Sequence, residues 1–349
     1  MRTDDGDPPM DELAAHLDRG WELLGRGNLP AAEKSAREAL VVEPESPEAQ
    51  VLLGQIALQR GKPDGAMKRF RKAIELDPDY AEPYLSAAEV ALFELDDPEQ
   101  ALELAEEVVE RAEDEAEYLD AVLLKVEALL ALDEDEADAR AREALREVPA
   151  GPLPDPMLAL RAARAYLDLE QYEPAERYYR QVIEKEPENA DAWHGLGMCA
   201  EGREDDRGMV KAWLKARELD LKAEPPAWQL SEKEFEEVAA ESLDELPTHI
   251  RKRLANVPIL ARDYPEPDIV RQGFDPRILG FFSGVPYPDK HSVSGPPPHL
   301  DCILLFKRNI ERAARSKDET RQEIRITLLH ETGHFFALSE EDLEEMGLG

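Results

Sequence analysis

Cysteine is almost missing from this chain of 349 residues. There are two, Cys199 and Cys302, one in each half. No disulfide framework is indicated, and reduced thiols in the cytoplasm fit best. Neither cysteine has a second Cys nearby. Long apolar runs are missing too. Nothing approaches the 18 or so uninterrupted apolar residues of a membrane span, so no membrane partner is expected. The opening MRTDDGDPPMDE has neither the basic start nor the apolar core of a secretory signal, and reads as a disordered acidic tail over 1–12. Positive charge is scarce as well: 42 Lys and Arg stand against 78 Asp and Glu, a net charge of −36. Residues 1–222 carry −27 of it and residues 223–349 carry −9. Such a surface repels phosphate backbones and anionic lipid, so nucleic acid is not an expected partner, whereas a basic protein or peptide is electrostatically easier.

What is present upstream of residue 222 is repetition. Gly27 and Gly61 are 34 residues apart, as are Pro44 and Pro78. The stretches AAEKSAREALVVEPES (31–46), GAMKRFRKAIELDPDY (65–80) and PAERYYRQVIEKEPEN (174–189) each give a helix with small or apolar residues at i, i+3, i+4, i+7. An acidic-Pro step stops each one, because Pro lacks an N–H and disfavours helical geometry before it. This pattern resembles the tetratricopeptide repeat family. Residues 47–80 match best, with Leu53-Gly54, Ala66, Phe70, Ala73 and Pro78. Gly20, Ala32, Ala39 and Pro44 mark a repeat at about 13–46. Ala163, Tyr166, Ala175, Tyr179 and Pro187 mark another at 156–189. Trp193, Leu196-Gly197, Trp213 and Ala216 mark a sixth at 190–222. Two repeats are degenerate: 81–115 needs an extra residue before Ala101, and 118–150 has Lys125 where a small residue is expected. GPLPDP (151–156) reads as a bend in the stack. The resemblance implies an α-solenoid of about six repeats over 13–222, with a groove that binds a protein or peptide. The alternative is an array that only orients its C-terminal neighbour.

Pro225-Pro226 breaks the pattern, and 223–232 reads as a linker. Ser231 and Glu234 form a capping box opening a helix whose apolar face is Phe235, Val238, Ala239, Leu243 and Leu246. NVPILARDY (256–264) and LDCILLFKRNI (300–310) read as strands, and 280–299, rich in Gly, Pro and Ser, as a long loop. DETRQEIRITLLHETGHFFAL (318–338) reads as a helix. The expected fold class is mainly α: a solenoid followed by a small α+β domain at 233–349.

Within that last helix lies His-Glu-x-x-His. Residues i and i+4 share a helix face, so His330 and His334 can present two imidazoles to one Zn²⁺. Glu331 is placed to take a proton from a water that zinc activates and to return it to a leaving amine. The plainer alternative is two surface histidines on an amphipathic helix. Catalytic zinc usually takes three protein ligands. Glu340 lies six residues past His334 and on an unbroken helix would face roughly 240° away, at about 100° per residue. The helix must therefore end between them. Ser339 to Asp342 resembles a capping box that starts a new helix and leaves Glu340 free to turn back to the metal. Glu340 equally reads as an ordinary helix N-terminal carboxylate. His291 and His299 flank the Pro-rich loop, and no substrate or oxyanion role is expected of them.

FEEVAAESLDELP, FFSGVPYPDKHS, ILLFKRNIER and LLHETGHFFALSEEDLEEMGL, in that order, resemble the bacterial minimal zinc-metallopeptidase domain, a compact zincin-like family with the motif HExxHxxGxxD. The resemblance implies a two-His-one-carboxylate zinc site: His330 and His334 as ligands, Glu331 as general base, and Glu340 in the place of the family Asp. Ala337 stands where the family has Gly. It also implies that ILLFKR (303–308) is the edge strand above the site, where a substrate chain could add. From the residues alone it reads equally well as a core strand. The function expected is zinc-dependent peptide-bond hydrolysis, with the repeats recruiting a protein substrate or regulator. The alternative is an interaction scaffold whose zincin-like domain is catalytically silent, which the Ala337 and Glu340 departures favour.

Overall fold

The computed structural model describes residues 9–112, 114–132, 134–246, 248–284, 302–336 and 338. They form two compact units, Met1–Lys185 and Glu186–Gly349.

The first unit is helical. It contains α1 (Pro9–Gly25), α2 (Leu29–Val42), α3 (Pro47–Gln59), α4 (Pro63–Leu76), α5 (Ala81–Phe93), α6 (Pro98–Val109), α7 (Glu115–Ala131), α8 (Asp135–Ala144), α9 (Pro156–Asp168) and α10 (Tyr172–Lys185). Each odd-numbered helix packs on the even-numbered one after it, and α5 touches α7 as α7 touches α9. Prolines sit in the first turn of α3, α4, α6 and α9, where the missing N–H costs no helical bond. Ser46, Asp97 and Asp155 accept from backbone amides of the first turn.

The repeat is visible in the turns. Gly27 and Gly61 take φ of 71° and 66° between the helices of their hairpins. Asp96, Glu170 and Glu204 take φ of 53°, 58° and 58° at the corresponding places. The step from 61 to 96 is one residue longer than 34, which locates the extra residue of the third repeat. Left-handed backbone costs a residue with a Cβ roughly 1–2 kcal/mol, so the fold imposes this turn even where the sequence offers no Gly. Ala32, Ala39, Ala66, Phe70, Ala73, Ala163, Tyr166, Ala175 and Tyr179 are all buried. Lys125, the misfit of the fourth repeat, reaches Glu106 at 3.1 Å instead of packing in the core. Arg161 of α9 grips Glu127 of α7 with two bonds of 2.8 Å and also meets Asp120.

The second unit begins with one more hairpin, α11 (Ala190–Glu201) and α12 (Asp206–Asp220). A Cβ on Gly197 would lie 2.1 Å from Trp213 Cδ1, and one on Gly54 would lie 2.4 Å from Phe70 Cε1. Both glycines precede their aromatic partner by 16 residues. Helix propensity alone would favour Ala by about 0.5–1 kcal/mol. The ring that fills the space is therefore what keeps Gly there.

Then come α13 (Glu232–Glu245), α14 (Thr248–Leu254), β1 (Ile259–Arg262), α15 (Pro267–Arg271), β2 (Gly280–Ser283), β3 (Cys302–Phe306), α16 (Lys307–Ala313) and α17 (Lys317–Phe335). The expected capping box is formed: Glu234 N donates to Ser231 Oγ at 3.2 Å and Ser231 N donates to Glu234 Oε2 at 2.8 Å. The sheet order is β1-β3-β2, with β3 parallel to β1 and antiparallel to β2. The core beneath it joins Phe235, Ala239, Ile303, Leu305, Ile310, Ile324 and Leu328.

Two expectations are corrected. ILLFKR is not an edge: residues 303–306 belong to β3, which is paired on both sides, and residue 307 opens α16. Ile303 and Leu305 are fully buried, as a central strand requires. The loop expected from 280 begins later, because Gly280–Ser283 is the strand β2. Its Phe281 pairs with Leu304 and Phe282 with Ile303, and these aromatic cross-strand contacts outweigh the local Gly and Ser. The rest of 280–299 from residue 285 on lies outside the described residues.

Candidate metal centre

Helix α17 starts at Ser316, whose side chain accepts from Glu319 N at 3.1 Å. Ile324 and Leu328 are its fully buried face. That face sets the rotation of the helix and so the direction of its last two turns. His330 and His334 lie one turn apart, both half-buried. Their Nε2 atoms approach to 2.9 Å, and their rings are edge to face at 78° with centroids 4.6 Å apart. Between them on the helix, Glu331 is 6% exposed. Phe335 is fully buried and ends α17, and Leu338 N donates back to Gly333 O at 3.1 Å. The helix therefore stops soon after His334.

These three side chains face a cavity of about 550 Å³. Its other walls are apolar: Phe274, Ile278 and Leu279 from the segment after α15, Gly280 to Phe282 from β2, and Ile326 from α17. Glu323 and Thr327 complete the lining. The strand β2 passes so close to α17 that a Cβ on Gly280 would lie 2.7 Å from Glu331 Cγ, 2.7 Å from Thr327 Cγ2 and 2.8 Å from Glu331 Oε1. Gly280 thus lets the backbone lie against the one buried carboxylate of the cavity. It was hidden in the sequence, because a Gly at the head of a Gly, Pro and Ser-rich stretch reads as loop. The signal that reveals it is the Phe-Phe pair just after it. Gly280→Ala is expected to displace Glu331 and to destabilise the chain by about 1–3 kcal/mol, the usual cost of overpacking. Chemical denaturation of the full chain measures it.

The donors fit a borderline metal in kind. Two imidazole nitrogens 2.9 Å apart are both within reach of one ion at Zn–N bonds of about 2.0–2.1 Å. A carboxylate next in sequence to the first of them lines the same cavity. Among the described residues, no group of three His, Cys, Asp or Glu side chains is gathered closely enough to hold an ion. Glu340, with Ala337, Ser339 and Asp342, lies outside the described residues, as do His291 and His299.

Comparison with known proteins now adds the family. Residues 254–349 match the model of the zincin-like metallopeptidases. Residues 17–81 and 160–224 match one tetratricopeptide repeat model, and residues 57–124 another. Among solved structures, pilF of Pseudomonas aeruginosa is 22% identical over 61% of this chain and 94% of its own, with a TM-score of 0.51. PilW, described as a type IV pilus biogenesis factor, is 17% identical over 59% of this chain and 92% of its own, with a TM-score of 0.47. TTC0263, a thermophilic TPR protein of Thermus thermophilus, is 23% identical over 52% of this chain and 94% of its own, with a TM-score of 0.41. At these identities the likeness concerns the fold alone. No curated protein matches the chain. The chain carries tetratricopeptide repeats over 17–224 and a zincin-like metallopeptidase domain over 254–349.

Proposed function

From a chain that joins tetratricopeptide repeats to a zincin-like domain, we propose a zinc-dependent peptidase of the cytoplasm whose repeats recruit a protein substrate or regulator. The observation that carries the reading is the convergence of His330 and His334 Nε2 at 2.9 Å on the cavity that Glu331 lines. In it, His330 and His334 hold the metal, with Glu340 as third ligand. Zinc, when bound, supplies the Lewis acidity that makes water a nucleophile near neutral pH. Glu331 takes the proton of the attacking water and delivers it to the nitrogen of the leaving amine.

The corrected sheet moves the proposed place of the substrate. Among the described residues β2 is an edge, and Gly280 to Phe282 line the cavity beside α17. A peptide laid along β2 as an added strand brings a peptide bond next to Glu331 and an apolar side chain against the phenylalanines. No helix among the described residues is long and apolar enough to cross a membrane, and the substrates proposed are proteins or peptides in solution.

The test uses the full chain, stripped of metal and then titrated with zinc. Elemental analysis should find a single zinc per chain, and a peptide library should be cleaved only after zinc is added. Cleavage that a chelator stops and zinc restores supports the peptidase. A chain that takes up no metal at micromolar zinc overturns it and leaves the scaffold with a silent domain.

A further inference from the structure

One wall of the cavity is anchored on the helical hairpin α11–α12. Phe274 and Phe281 stand edge to face in that wall, with centroids 4.8 Å apart and planes at 70°. Phe274 is 39% exposed, an aromatic ring that water would not by itself keep in place. The residue after it is held firmly. His194 Nε2 lies 2.9 Å from each carboxylate oxygen of Asp275, a contact that spans 81 residues of sequence. Asp275 Oδ1 also accepts from Arg277 N at 2.7 Å. Burial pushes the Asp275 carboxyl up, but the bond to His194 and the charges of His194 and Arg277 bring it below its ordinary value. His194 is stacked on Trp213 of α12 with centroids 6.4 Å apart, and Trp213 shares a buried cluster with Val270 of α15. From the opposite side, Asn309 Nδ2 donates to Pro276 O at 2.9 Å and to Ile278 O at 2.7 Å. Residues 275–278 are thus clamped on both flanks, and Phe274 rides at the edge of the clamp.

We infer that His194 and Asp275 are positioning residues of the cavity, through which the hairpin α11–α12 holds Phe274 against Phe281 and sets the shape of the aromatic wall. Neither touches the reacting atoms. The consequence for substrate binding rests on the peptidase reading, whereas the mechanical link does not. The sixth repeat is then part of the wall that a substrate meets, and not only the last member of an array.

Hydrogen exchange of the full chain without metal reads the link directly. His194→Ala should raise exchange at residues 273–283 roughly ten- to a hundredfold, the factor implied by losing a hydrogen bond to a charged group. Exchange in α17 should stay unchanged. His194→Gln, whose amide can donate from nearly the same position as Nε2, should restore much of the protection. Unchanged exchange at 273–283 overturns the inference. So does a rise spread evenly over the second unit, which would make His194 an ordinary contributor to stability. Should His194→Ala fail to fold, Asp275→Asn, which keeps the volume and removes the charge, is read in the same way. With zinc restored, the same variant should raise KM for peptides with an aromatic side chain at the cleavage site and leave kcat in place. An unchanged KM removes the wall from substrate binding. If the wild type cleaves nothing, the peptidase reading fails while the exchange result stands.

Discussion

Glu331→Gln should lower peptide hydrolysis by roughly 10²- to 10⁴-fold, the range that a general base contributes, and leave zinc content unchanged. The substitution keeps the shape of a side chain that is 6% exposed and packed against Gly280, and it removes the charge and the ability to take a proton. This separates chemistry from architecture. His334→Ala, by contrast, removes one of the two converging nitrogens and should lose the metal and the activity together. Elemental analysis, a denaturation curve and a peptide-cleavage assay on the three proteins decide the matter. Equal activity in Glu331→Gln and wild type would remove Glu331 from the mechanism. A Glu331→Gln protein without zinc would make the residue a part of metal binding instead.

The part of this site that was legible in the sequence is the part that follows helical geometry. The four-residue spacing of His330 and His334 on an amphipathic helix fixes them on one face, and the two nitrogens meet in the fold. The sequence reads as a helix running to 338, and α17 ends sooner, at Phe335. The walls were not legible. Phe274 and Ile278 come from the irregular segment between the five-residue helix α15 and the four-residue strand β2, and Phe281 from β2 itself, and elements this short have a periodicity too brief to register. The edge of the sheet was misplaced by the resemblance, whereas the residues of ILLFKR, apolar on both faces, read equally well as the core strand that β3 is. The richest apolar run, CILLF, marks the centre of the sheet because it is covered on both sides, and among the described residues the weaker GFFS marks an edge. In the helical array the same logic runs the other way. Its contacts are local, so Gly54 with Phe70 and Gly197 with Trp213 could be read at fixed spacing. Long-range pairs such as His194 with Asp275 leave no spacing to read.

The largest effect on stability is expected at Asp220. The carboxylate is 2% exposed at the end of α12 and takes bonds from two arginines. Arg277 donates from Nε at 3.0 Å and from Nη2 at 3.2 Å, and Arg312 from Nη1 at 2.6 Å. Its backbone oxygen accepts from Tyr264 Oη at 2.8 Å. Asp191 of α11 meets the same two guanidinium groups, Arg277 at 2.9 Å and Arg312 more closely still, but is far more open to water, at 34% of its side chain. Burying an ion pair adds little net stability against an apolar replacement, because desolvation offsets the attraction. Breaking one is different, since it strands a charge in a medium that solvates it poorly. Asp220→Ala leaves Arg277 and Arg312 sharing one half-buried carboxylate, that of Asp191, and should destabilise the second unit by about 3–5 kcal/mol. Asp191→Ala, with Asp220 still in place and water at hand, should cost at most about 1 kcal/mol. Denaturant titration of the full chain, followed by hydrogen exchange to assign the loss to residues 186–336, measures both. The order of the two is the sharper test. If Asp191→Ala proves the more damaging, the pairs are held by exposed attraction, and the hairpin α11–α12 is joined to the zincin-like fold by its apolar contacts through Val270 and Trp213. If Asp220→Ala is the more damaging, this junction of four charges around the buried Asp220 fixes α11–α12 on the fold that carries the cavity. Any motion of the sixth repeat must then be paid for at the segment that bears Phe274.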